Sequence, residues 1–142
     1  MRVLVDTNVI LDVLQDRKPW SKDGKVIFYA IANNRITACI TAKEAADIHF
    51  FSRKQFRKQE NVDSKAREIM SKLFALFEVL DTLGIDCINA LAMENGDYED
   101  AVSMETAARS GVDCIVTRNT EHFKTSLTPV FTPAEFVKEY DL

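Results

Sequence analysis

Proline and glycine are scarce in this chain, with three of the first and four of the second among 142 residues. No Pro/Gly-rich linker, internal repeat or low-complexity tract divides it. One compact domain over residues 1–142 is therefore expected, with a core large enough to need no metal or disulfide staple. Cysteine is sparse as well: Cys39, Cys87 and Cys114 cannot all pair within the chain, and they show no C-x-x-C spacing. That excludes a disulfide framework and predicts buried free thiols in a reducing compartment. No apolar run approaches the length of a membrane span, and Asp6 and Asp12 interrupt the amino terminus where a signal core would lie. A cytoplasmic protein with no membrane partner is expected. Nor is positive charge in excess. The net charge of −4 argues against broad, non-specific binding of nucleic acid through a basic surface. An enzyme acting on nucleic acid stays open, because a carboxylate cluster is acidic when empty and bound cations reverse its field.

What the chain does have is an alternation of short apolar runs with helical stripes. Arg2–Val5 predicts a strand apolar on both faces, which belongs in the middle of a parallel sheet covered by helices. A short helix and a loop over 17–21 follow it. Further helices are predicted over 25–33, from 42 to about 51, and over 64–77, 85–93, 98–110 and 133–140. The intervening strands fall at 35–40, 78–80, 113–117 and 129–131. Asn95-Gly96 breaks two of the helices apart and Gly111 stops the second. Strands alternating with helices imply right-handed crossovers. The fold class is α/β, a three-layer α/β/α sandwich around a central parallel β-sheet of about five strands.

The polar residues of interest sit where such a fold gathers its ligand sites, at strand ends and helix starts. Asp6 closes the first strand, either as a helix cap or as the first ligand of a metal. Glu44 follows Thr41 by three residues, the spacing of a capping box, yet it shares a helical face with Ile48 and Phe51 and so points inward. Asp97 has the position of an N-cap, Glu99 faces solvent, and acids at a helix start complement its dipole. Asp100 differs from both, because Met104, Ala107 and Ala108 follow it along the buried stripe. An unpaired charge there is costly, and either a metal or Arg118 would offset it. Asn119, just past the fourth strand, is a neutral metal ligand, a water anchor or the cap of segment 120–123.

Asp6-Thr7-Asn8-Val9-Ile10-Leu11-Asp12 resembles the opening of PIN domains. Asp100-Ala101, Ala107, Gly111, Ile115-Val116-Thr117-Arg118-Asn119 and Phe123 resemble their closing half, and Val130-Phe131-Thr132-Pro133 their ending. The resemblance implies a metal-dependent ribonuclease that hydrolyses RNA phosphodiester bonds, with Mg²⁺ or Mn²⁺ as cofactor. It also implies the toxin half of a VapC-like toxin–antitoxin pair, with an antitoxin protein and a second copy of the chain as partners. By it, Asp6, Glu44 and Asp100 are the catalytic, metal-binding acids, Asp97 is an auxiliary one, and Asn119 takes the place of a fourth. The chain departs from the pattern there and at His122, where related sequences often carry aspartate, and both changes remove negative charge. Cations held by carboxylates stabilise the attacking and leaving oxygens of a phosphodiester. Thr7, Asn8 and Thr117 are then expected to orient water or phosphate, and Arg118 to pair with a phosphate oxygen.

Arg53-Lys54-Gln55-Phe56-Arg57-Lys58 is either a solvated helix end or a hold for an RNA backbone. His49 is read as a packing residue. Two rival functions stand beside the nuclease. One is a nucleic-acid- or partner-binding module with weak or no nuclease activity, favoured by Asn119. The other is a phosphatase using Asp6 as nucleophile, disfavoured because the second acid such enzymes place two residues on is here Asn8.

Overall fold

The computed structural model describes residues 1–94 and 97–142. The expected break at Asn95-Gly96 lies outside the described residues. Along the chain come β1 (Arg2–Val5), α1 (Thr7–Leu14), α2 (Ser21–Ala32), β2 (Thr37–Thr41), α3 (Ala42–Gln55), α4 (Val62–Leu76) and β3 (Phe77–Leu80). Next are α5 (Gly84–Ala90), α6 (Tyr98–Ser110), β4 (Cys114–Val116), a 3₁₀ turn over Thr120–Phe123, β5 (Val130–Phe131) and α7 (Pro133–Glu139). The strands form a five-stranded sheet in the order β3-β2-β1-β4-β5, parallel at every pairing. It is the α/β arrangement that the strand–helix alternation predicts.

β1 is central because its side chains are apolar on both faces. Val3 and Val5 join Ala38, Ile40, Cys114 and Val116 in one core, closed by Ile10, Ile27, Ile48, Leu73 and Phe136 from α1, α2, α3, α4 and α7. Leu4, Cys39 and Ile115 point the other way, into a second core closed by Ala90, Met104 and Ala107 from α5 and α6. Val3, Leu4 and Val5 are fully buried. At about 1.5–3 kcal/mol for each such side chain, two-sided burial holds this strand at the centre. From β1 the chain adds β2 and β3 on one side and later returns to place β4 on the other. The order therefore reverses between β1 and β4, and a crevice opens at their carboxyl ends, where ligands bind in such sheets.

Several boundaries differ from expectation for identifiable reasons. α2 begins at Ser21, ahead of the predicted 25, because Gly24 lies inside it; a Cβ there would sit 2.7 Å from Val13 Cγ2. The absence of a Cβ at this glycine is what lets α2 approach α1. α3 runs on to Gln55, and Arg53 and Lys54 in its last turn complement the negative end of its dipole. The helix predicted over 85–93 stops at Ala90 and gives way to turns. Cys39, Cys87 and Cys114 are free thiols, and Cys87 is half-buried where full burial was expected. Among the described residues, no helix is long and apolar enough to cross a membrane.

Candidate active site

Asp6 follows β1 directly and holds the N-cap position of α1, yet its side chain does not cap that helix. Its carboxylate turns across the crevice to β4. It accepts a hydrogen bond from Thr117 Oγ1 at 2.6 Å and another from Asn8 Nδ2. Asn8 also donates to Thr117 Oγ1 at 3.1 Å and accepts from the Arg118 backbone N–H at 3.2 Å. These bonds tie the ends of β1 and β4 together at the point where the sheet order reverses. Asp6 is 8% exposed. Burial pushes its carboxyl up to about 6, Thr117 pulls against that, and the charge of Asp100 adds to it.

At Glu44 the two sequence readings hold together. The capping box is formed, with Glu44 N–H donating to Thr41 Oγ1 at 3.1 Å and Thr41 N–H to Glu44 Oε2 at 2.7 Å. The same carboxylate, only 2% exposed, lines a cavity of about 490 Å³ with Asp6, Asp97, Asp100 and Asn119. Its pKa is pushed up to about 8, by burial first and the Asp6 charge second.

Asp97 caps α6, accepting from the N–H groups of Glu99 and Asp100 at 2.9 and 3.3 Å. Asp100 sits one turn further in, half-buried, with Oδ2 2.8 Å from His122 Nδ1. Burial raises its pKa and His122 opposes the rise. Asp97, Asp100 and His122 bring ligand atoms within 4.8 Å of one another. The side chain of Asn119 does not cap the 3₁₀ turn. Lys43 also lines the cavity, held by Asp47 at 2.7 Å and Glu99 at 3.0 Å.

Arg118 is a correction. Its guanidinium does not reach Asp100. Nε lies 2.6 Å from Oδ2 of the fully buried Asp12, off the line of a hydrogen bond, and the group stacks 4.5 Å over the ring of Trp20. Nor does Thr117 line the cavity: fully buried, its hydroxyl serves Asp6 and the Asn119 N–H. Thr7 and Asn8 do line it. Sequence reasoning gave no role to Asp12, although an acid set in the apolar run of α1 was as visible as Asp100. It treated His122 only as a missing acid, where the structure gives it a partner in Asp100.

The chemistry of this donor set is specific. Asp6, Glu44 and Asp100 line one cavity from three places in the chain and bear oxygens alone; the charge of Asp100 acts on Asp6 and that of Asp6 on Glu44. A hard divalent cation takes oxygen ligands, and its charge offsets the repulsion that otherwise favours protonation. The residues fit such an ion.

The family model described as PIN domain matches residues 2–121. No curated protein matches the sequence. Among solved structures, the fold is similar to that of FitAB bound to a DNA fragment, at 16% identity over 92% of this chain and 94% of that one, with a TM-score of 0.71. A toxin–antitoxin complex from Klebsiella pneumoniae is similar at 20% identity, 92% and 97% coverage and a TM-score of 0.66. VapBC-1 from nontypeable Haemophilus influenzae is similar at 14% identity, 94% and 99% coverage and a TM-score of 0.63.

Proposed function

We propose that this chain, which belongs to the PIN domain family, is a metal-dependent endoribonuclease and the toxin of a toxin–antitoxin pair, acting as one domain in the cytoplasm. The observation that carries the reading is the meeting of Asp6, Glu44 and Asp100 from separate elements in one cavity at the switch point of the sheet. Asp6, Glu44 and Asp100, with Asp97 and Asn119 beside them, would hold Mg²⁺ or Mn²⁺, which would supply positive charge to the attacking and leaving oxygens as water adds to phosphorus and the P–O bond to the leaving group breaks.

The chain's own groups do the rest. Asn8 and Thr117 fix the rotamer of Asp6, so that its carboxylate is oriented before any ligand arrives. Thr41 does the same for Glu44 through the capping box. Thr7 Oγ1, buried and without a hydrogen-bond partner among the described residues, and the Asn119 amide are the neutral groups left to orient water or a phosphate oxygen. Lys43 supplies a cation for the phosphate. Arg118 acts from behind, holding the turn after β4 against α1 through Asp12.

The antitoxin and a second copy of the chain are proposed partners, supported by likeness to a toxin–antitoxin complex. Purified protein is expected to cleave RNA with Mn²⁺ or Mg²⁺ and to stop in chelator. Asp6→Asn and Asp100→Asn should each abolish cleavage with an unchanged circular dichroism spectrum. An Asp6→Asn protein that cuts as well as the parent overturns the assignment. RNA binding without cleavage by the parent favours the binding module.

A further inference from the structure

The acid-lined cavity is not closed on the side of α3. Arg17 and Phe51 line it and also line a second groove, of about 650 Å³, which runs over the end of α3 and the turn beyond it. The other cations of that groove are Lys54, Arg57 and Lys58; the rest of its lining is three glutamines, and no acid is among them. Arg53, in the same basic stretch, turns away to Asp63 at 3.1 Å. Lys54, Arg57 and Lys58 have no acidic partner among the described residues. In a chain of net charge −4, three adjacent cations left unpaired in one groove are not the average surface. Arg17 is held at the junction, its Nε donating to Gln15 Oε1 at 2.8 Å.

We infer that this groove is the track along which the phosphodiester backbone of a single-stranded RNA is led into the acid-lined cavity, an inference that rests on the nuclease reading of that cavity. Unpaired cations follow a backbone by neutralising its phosphates and releasing counterions. Phe51, 37% exposed at the junction, and Phe50, 63% exposed on the cavity side with its ring 5.4 Å from that of Phe51, present faces on which bases stack. The side-chain amides of Gln15 and Gln59, whose oxygens already accept from Arg17 and Lys65, offer their N–H groups to ribose hydroxyls, which an acidic polypeptide lacks. The stretch that reads in sequence as either a solvated helix end or a hold for an RNA backbone thus has a geometric reason for its charge.

The test is fluorescence anisotropy in chelator, where nothing is cut, with a labelled single-stranded oligouridylate and with a labelled polyglutamate peptide of equal charge. Lys54→Gln/Arg57→Gln/Lys58→Gln should bind the oligouridylate at least about tenfold more weakly than the parent at low salt. Its salt slope should be smaller by about two, at roughly 0.7 for each phosphate no longer neutralised. Lys138→Gln, exposed on α7 and away from the groove, should change neither. Unchanged melting of the triple variant shows that it folds. No binding by the parent, or equal affinity and slope in the triple variant, overturns the track. Polyglutamate bound as tightly as oligouridylate, and released in the triple variant, overturns it in favour of an acidic protein segment. A parent that binds through the groove yet never cuts with Mn²⁺ sinks the nuclease reading alone; one that cuts while the triple variant binds and cuts equally sinks the groove alone.

Discussion

Asn119 shows how much a single atom type can decide. It lines the cavity with Asp6, Glu44, Asp97 and Asp100, and its amide oxygen can ligate a cation without adding charge. Asn119→Asp is expected to tighten Mn²⁺ binding and to lower the Mn²⁺ concentration needed for half-maximal cleavage. Each tenfold gain in affinity corresponds to about 1.4 kcal/mol. Calorimetric titration of both proteins decides it, and unchanged affinity would put Asn119 outside the metal's reach. Asp100 finds its hydrogen-bond partner in His122 rather than in Arg118, because the 3₁₀ turn over Thr120–Phe123 carries the imidazole to it while Asp12 and Trp20 hold the guanidinium.

The junction of β2 and α3 does three jobs with two residues. Thr41 ends the strand, caps the helix and fixes Glu44, and each role follows from a side chain that both accepts from Glu44 N–H and adjoins a backbone N–H reaching Glu44 Oε2. Thr41→Ala removes the hydroxyl acceptor, and loss of such a cap costs about 1 kcal/mol. Urea denaturation should show that loss with an unchanged m-value, and metal affinity should fall too, since Glu44 is then less restrained. A stability loss with metal affinity intact would mean that the capping box and the metal site are independent. α1 and α6 are legible in sequence for similar reasons: an apolar stripe, a polar start and, for α6, Gly111 at a φ of 63° to stop it. α2 is less so, because Gly24 reports a close approach to α1 and no local propensity reveals that.

Across the whole molecule, the buried acids make stability depend on pH in an unusual direction. Asp6 is pushed up to about 6 from 3.8 and Glu44 to about 8 from 4.5. A raised acid binds its proton more tightly in the folded state than in the unfolded one. Its contribution to stability is therefore present below the unfolded value and lost as pH rises through the folded one. Acids held low, such as Asp86 beside Arg109, act the other way but below the ordinary carboxylate range. In chelator, the melting temperature should therefore fall as pH rises from about 4 to about 8, and Glu44→Gln should flatten the upper part of that fall. Mn²⁺ should restore stability most at the alkaline end and release protons on binding. Scanning calorimetry over a pH series checks this, and a melting temperature in chelator that climbs over the range overturns it.

Sequence alone determined the elements and their class. Apolar runs on both faces of β1, helical stripes and a Thr-x-x-Glu start are local patterns, each enforced by the geometry of a strand or a turn of helix. It also marked Asp6, Glu44, Asp97, Asp100 and Asn119 as polar groups at element ends. Only the tertiary structure decided which of them meet, because that depends on the order β3-β2-β1-β4-β5. It placed Arg118 on Asp12 and Trp20, Thr117 behind Asp6, and His122 against Asp100. It also set a basic stretch beside the acidic cavity through Arg17 and Phe51. Those pairings join residues from different elements, and periodicity carries no information about a partner a hundred positions away.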